Sequence, residues 1–116
     1  MKMKLAAILT VMATTSFADT PEIQKVATTA MNAGGWRFDV TVSHPDTGWD
    51  HYADGWVIVD SEGREIGMRV LAHPHETEQP FTRSLVVSGP LPQTVYITAR
   101  CSVDGWAEQL FEVSLK

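Results

Sequence analysis

Cysteine is nearly absent: Cys101 is the single one in 116 residues. No disulfide can form within the chain, which excludes the stapled mini-protein scaffolds and leaves core burial as the source of stability. Positive charge is also scarce, with nine Lys and Arg against fourteen Asp and Glu and a net charge of −5. Nothing in that balance draws in a phosphate backbone or an anionic membrane surface, so nucleic-acid binding is excluded as a charge-driven function. Repeats and low-complexity stretches are missing as well. No apolar run reaches the roughly 20 residues that a permanent membrane helix needs. The length suits one domain and is too short for two cores.

What is present begins with a leader. Lys2 and Lys4 precede the apolar run Leu5 to Met12, and Ser16-Phe17-Ala18 closes the segment with small residues at the two positions a signal peptidase reads. This order predicts a signal peptide over residues 1–18, cleavage between Ala18 and Asp19, and a single domain over residues 19–116. Removing the leader takes away two lysines and no acid, so the remainder is more acidic still. With no cysteine at the junction to carry a lipid, the expected product is soluble and periplasmic or secreted, with no membrane span.

From Trp36 onward the apolar residues recur with period two, the mark of half-buried strands. Trp36, Phe38, Val40 and Val42 alternate with Arg37, Asp39 and Thr41. Trp56 to Asp60 is apolar on both faces. Ile66, Met68, Val70 and Ala72 form the next apolar face, followed by Thr82 to Val87, by Val95, Ile97 and Ala99, and by Phe111, Val113 and Leu115. Turn clusters at Asp60 to Gly63, Gly89 to Pro92 and Asp104-Gly105 separate the runs. Residues Glu22 to Met31 read as a strand through the β-branched Val26, Thr28 and Thr29 and a short Gly34-Gly35 connection to Trp36, although the alanines there also suit a helix. The expectation is an all-β, seven-stranded antiparallel immunoglobulin or fibronectin type III-like sandwich.

If chain direction alternates from strand to strand, successive connections fall at opposite ends of the domain. The first, third and fifth are short and chemically plain. The second, fourth and sixth, running His44 to Asp54, His73 to Phe81 and Cys101 to Glu108, hold every histidine, the cysteine, seven acids and the aromatics Trp49, Tyr52 and Trp106. Loops gathered at one end of a sandwich are where binding residues sit, so one pole is nominated as the working surface.

Several chemistries suit that pole. His73-Pro74-His75 offers two imidazoles at i and i+2, which with His51 and the carboxylates of Asp50 or Glu78 would suit Zn²⁺ or Cu²⁺. The competing reading is that His75 and His51 tie down long loops by hydrogen bonds. Asp46, Asp50 and Asp54 invite Ca²⁺, but their spacing of four does not match a helix-loop-helix calcium loop, and turn formation explains them equally. A blue-copper site is excluded, because neither His nor Met follows Cys101. Cys101 itself reads as a small buried hydrophobe, with nucleophilic catalysis or an intermolecular disulfide as alternatives. Phe81 is expected to plug the end of the core and Arg83 to pair with Asp50, Asp54 or Glu78. The rival role for this pole is a protein-interaction module, docking a periplasmic or extracellular partner through Trp49, Tyr52 and Phe81. Both readings are non-enzymatic.

Two blocks, Gly48-Trp49-Asp50-His51-Tyr52-Ala53-Asp54-Gly55-Trp56 and Gly67 through Leu85 with its His73-Pro74-His75 and Glu78-Gln79-Pro80-Phe81-Thr82-Arg83-Ser84-Leu85 core, resemble a family of small exported bacterial proteins of uncharacterised function. The resemblance covers roughly Gly35 to Trp106 and implies export without implying an activity. Members of that family tend to carry an acid in place of Cys101 and a histidine in place of Asp104. That departure argues against a nucleophilic Cys101 and thins the supply of imidazoles for a metal.

Overall fold

The computed structural model describes residues 19–116; the expected leader lies outside the described residues. The described chain is all-β: β1 (Glu22–Ala30), β2 (Trp36–Ser43), β3 (Ala53–Val59), β4 (Glu65–Val70), β5 (Phe81–Val87), β6 (Thr94–Cys101), β7 (Gly105–Trp106) and β8 (Phe111–Ser114). One sheet has the order β1-β2-β5, and the other runs β4-β3-β6 with both β7 and β8 on β6; every pairing is antiparallel. The two sheets face each other as a sandwich.

The core lies between them, built by alternation. Phe38, Val40 and Val42 point inward from β2 and are fully buried, while Val95, Ile97 and Ala99 do the same from β6. Trp56 and Ile58 of β3 and Phe81 of β5 complete the centre. Burying each such side chain stabilises the fold by about 1.5–3 kcal/mol before the entropy of ordering it is subtracted. Strand β3, flanked on both edges by β4 and β6, also buries Val57 on its other face, which is why its sequence is apolar from Trp56 to Val59.

Two expectations are corrected. The described residues form eight strands where seven were expected, because Asp104-Gly105 turns back on the end of β6: Gly105 takes the left-handed φ of 79° and pairs with Cys101, and Trp106 pairs with Arg100. Since β3 occupies the other edge of β6, β7 and β8 share one edge and one direction. β8 is the expected last strand and β7 is a short piece inside the expected sixth connection that runs in the same direction, so the alternation of connections survives. The second correction concerns β4. Val70 is 64% exposed, whereas Leu71 is buried, Arg69 donates to the Ser84 carbonyl of β5, and a Cβ on Gly67 would touch Leu85 and Val87. From Gly67 onward the inward positions are therefore Gly67, Arg69 and Leu71, the reverse of the expected face, while Ile66, at the register irregularity opposite Ile58 and Val59, packs against the core. The Glu22 to Met31 ambiguity resolves as strand β1, paired along β2. Its return is tight: a Cβ on Gly35 would run into the Val87 carbonyl, which only glycine avoids.

Candidate metal centre at one pole

The second, fourth and sixth connections meet at one end of the sandwich, and Asp46 binds the second to the fourth. Its side chain is fully buried. Oδ1 accepts the His44 Nδ1 hydrogen at 2.6 Å and the Ala53 N–H at 2.9 Å, while Oδ2 accepts the His75 N–H at 2.8 Å. Gln79 adds a second tie, accepting from His44 N at 3.0 Å and donating to the His75 carbonyl at 2.8 Å. Tyr52 and Ser102 close the third side, with Ser102 N donating to the Tyr52 carbonyl at 2.9 Å and Tyr52 N to Ser102 Oγ at 3.1 Å. A buried carboxylate is tolerated here because several donors converge on it.

Above Asp46 three ligand-bearing side chains converge. His44, from the end of β2, His51, from the Gly48–His51 hairpin turn, and Cys101, from the end of β6, each offer one ligand atom, and these atoms lie within 4.8 Å of one another. The His44 and His51 rings meet edge to face at 5.0 Å. His51 Nε2 is buried without a hydrogen-bond partner, and Asp104 Oδ2 lies 3.6 Å from it. The Cys101 sulfur is buried and accepts the Asp104 N–H at 3.1 Å, the kind of contact that steadies a metal-bound thiolate. His44 keeps Nδ1 on the Asp46 carboxylate, and its Nε2 meets the Asp19 carbonyl at 2.6 Å. A carboxylate that holds one imidazole nitrogen fixes the ring, the usual support of a histidine ligand, and Nε2 would bind a metal only by giving up the Asp19 carbonyl.

The other expected ligands are placed elsewhere. His75 is buried, stacked on Phe81 with ring centroids 3.9 Å apart, and its Nε2 lies 2.9 Å from the Arg83 guanidinium. Arg83 can only donate, so Nε2 accepts and the ring proton sits on Nδ1, 4.0 Å from Asp46 Oδ2. Burial, reinforced by the Arg83 and His73 charges, holds the His75 pKa below its ordinary value. His73 is exposed and turns Nδ1 toward the Pro74 carbonyl, with its ring 4.6 Å from that of His75. Glu78 pairs with Arg83 at 3.3 Å, and Asp50 stands exposed on the hairpin. The structure thus brings His51 together with His44 and Cys101, and engages His75 with an arginine. Asp54 pairs with Arg100 at 2.9 Å and Asp46 is consumed by its three donors, so the acids at 46, 50 and 54 form no common cluster.

Of the three aromatic anchors, Phe81 is fully buried as the plug of the core, while Trp49 is 69% exposed and meets Tyr52 edge to face at 5.6 Å. Sequence reasoning counted His44 among the residues of this pole without assigning it to a ligand set, and it missed Asp19. The same alternation contains the signal: β1 runs away from this pole, with Glu22 opposite Ser43, so the segment preceding it must lie here too.

No family model matches the chain, and no solved structure matches it. A protein of Halomicrobium mukohataei described as a "putative lipoprotein" is 42% identical over 78 residues, covering 66% of this chain. The chain spans 38% of that relative's length. Among the described residues no helix is long and apolar enough to cross a membrane.

Proposed function

We propose that this is an exported, non-enzymatic binding domain that holds a transition metal, Zn²⁺ or copper, at the loop pole through His44, His51 and Cys101. One observation carries the reading: three side chains of metal-binding type, two from the second connection and one from the sixth, offer ligand atoms that lie within 4.8 Å of one another. The buried, unpartnered His51 Nε2 strengthens it, because an orphaned buried nitrogen is costly unless something fills the site. Imidazole with thiolate suits Zn²⁺ and copper and disfavours Ca²⁺ or Mg²⁺, which prefer oxygen. His73 and His75 are left out of the ligand set because the Arg83 guanidinium stands against His75 and would repel a cation. Export is part of the proposal, supported by the charged, apolar and small-residue order of residues 1–18 and by the description of the relative as a lipoprotein. The sandwich is proposed to be of the immunoglobulin or fibronectin type III kind, on the strength of its β1-β2-β5 and β4-β3-β6 sheets with β7 and β8 closing the second.

The test is a thermal melt of the chain from Asp19 onward with and without Zn²⁺. Metal at a hundred times its Kd raises stability by about 2.7 kcal/mol. The rise is expected to vanish in Cys101→Ser and in His51→Ala and to persist in His73→Ala. An unchanged melt at saturating Zn²⁺ and Cu²⁺ would remove the proposal.

A second reading has its own observation. Trp49, 69% exposed at a hairpin tip and braced by Tyr52, has the form of an aromatic anchor for a protein partner. It predicts capture from periplasmic extract that resists chelation and is lost in Trp49→Ala.

A further inference from the structure

The residue that follows the expected cleavage point is pinned over the metal centre at both of its backbone ends. Asp19 N donates to Asp104 Oδ2 at 3.1 Å, and the Asp19 carbonyl faces His44 Nε2 at 2.6 Å. The same oxygen, Asp104 Oδ2, stands 3.6 Å from His51 Nε2 and 3.7 Å from the Cys101 sulfur. The backbone nitrogen of Asp19 therefore shares its one acceptor with two of the three ligand-bearing side chains. A tetrahedral zinc site takes four donors, and His44, His51 and Cys101 supply three.

We propose that the α-amino group of Asp19, released when the leader is removed between Ala18 and Asp19, is the fourth donor, so that only the processed, exported chain forms the complete metal site. The proposal rests on the metal reading above and on that cleavage. In the precursor this nitrogen belongs to a peptide bond, and its lone pair is delocalised into the carbonyl of residue 18, which leaves it a poor ligand at neutral pH. Cleavage converts it into an amine, whose lone pair can bind a metal once its proton is lost, and Asp104 Oδ2 stands beside it as the acceptor of its hydrogens. When the ion enters, the amine is bound in its neutral form, the Cys101 thiol gives up its proton to become a thiolate, and His44 gives up the Nε2 hydrogen that it donates to the Asp19 carbonyl while keeping Nδ1 on Asp46. All the displaced protons pass to solvent and nothing is oxidised or reduced. Asp104 then accepts from the coordinated amine and becomes a positioning residue.

The experiment compares three chains that differ only at the start: one beginning at Asp19 with a free amine, one beginning at acetylated Asp19, and one retaining Phe17-Ala18. Each is titrated with Zn²⁺ by calorimetry in buffers of different ionisation enthalpy, and with Co²⁺ by absorbance. The free-amine chain is expected to bind at least about tenfold more tightly than the other two and to release about one more proton per ion than the acetylated chain. Equal affinity and equal proton release in all three would overturn the role of the amine while leaving the side-chain site in place. Absence of binding in all three would overturn that site and the amine's role with it. The thiolate-to-cobalt band, which depends on Cys101 whatever the amine does, separates the two failures.

Discussion

Replacing Asp46 with Asn tests the bonds that join the second connection to the fourth. The side chain is fully buried and its two oxygens receive three hydrogens, from His44 Nδ1, Ala53 N and His75 N, at 2.6, 2.9 and 2.8 Å. An asparagine of the same shape keeps one acceptor oxygen and sets an NH₂ group against a donor. If its oxygen serves His44 and Ala53, the His75 N–H is stranded, a loss of about 1–3 kcal/mol. The charge-assisted bond to His44 weakens to an ordinary one, removing about 1 kcal/mol more. Asp46→Asn should thus destabilise the domain by about 2–4 kcal/mol, and Asp46→Ala, which strands all three donors, by about 3–5 kcal/mol. In a domain of this size each kcal/mol lowers Tm by about 4–8 °C. Urea unfolding at pH 7.5 with an unchanged m-value, alongside a thermal melt, reads both quantities. An Asn variant within about 0.5 kcal/mol of the parent would refute the claim that one carboxylate holds these loops together.

His75 should make stability fall in mild acid. Its pKa is held below the ordinary value, so the unfolded chain takes up its proton first; the stabilisation is complete above about pH 6.5 and is lost as pH drops toward the folded-state value. Urea midpoints from pH 7.5 to 5 should show a shallower acid limb in His75→Gln. Phe38→Ala empties a fully buried site of β2 and should cost about 3–5 kcal/mol in the same assay. Trp49→Ala should change stability by less than about 0.5 kcal/mol, since its side chain lies mostly in water, and a larger loss would mean the hairpin needs it structurally. Gly35→Ala should destabilise clearly, because the added Cβ meets a strand carbonyl with no room to move.

The fold was legible wherever a strand had one wet and one dry face. In β2 and β6 alternation alone picked out Phe38, Val40, Val42, Val95, Ile97 and Ala99 as inward. It failed on β4 from Gly67 onward, where a register irregularity reverses the face and the inward positions are a glycine, an arginine and Leu71, although Ile66 before it packs on the core. It also missed β7, since two residues are too few to carry a period. The gathering of loop chemistry at one pole followed from chain direction, which depends on strand count and not on detail. The choice of partners within the pole did not follow. His73-Pro74-His75 drew the eye as a pair close in sequence, yet His75 is packed between Phe81 and Arg83, and the residues that meet His51 come from the ends of β2 and β6. Proximity of that kind is set by sheet register, which single-residue spacing does not encode.

Absorption of Co²⁺ bound to the chain starting at Asp19 tests the central claim most directly. Coordination by His44, His51 and Cys101 predicts a thiolate-to-cobalt charge-transfer band with tetrahedral ligand-field bands, displaced by Zn²⁺, abolished by Cys101→Ser and unaffected by His73→Ala. A featureless spectrum of weakly bound, octahedral cobalt, or a thiolate band that survives His51→Ala unchanged, would contradict it.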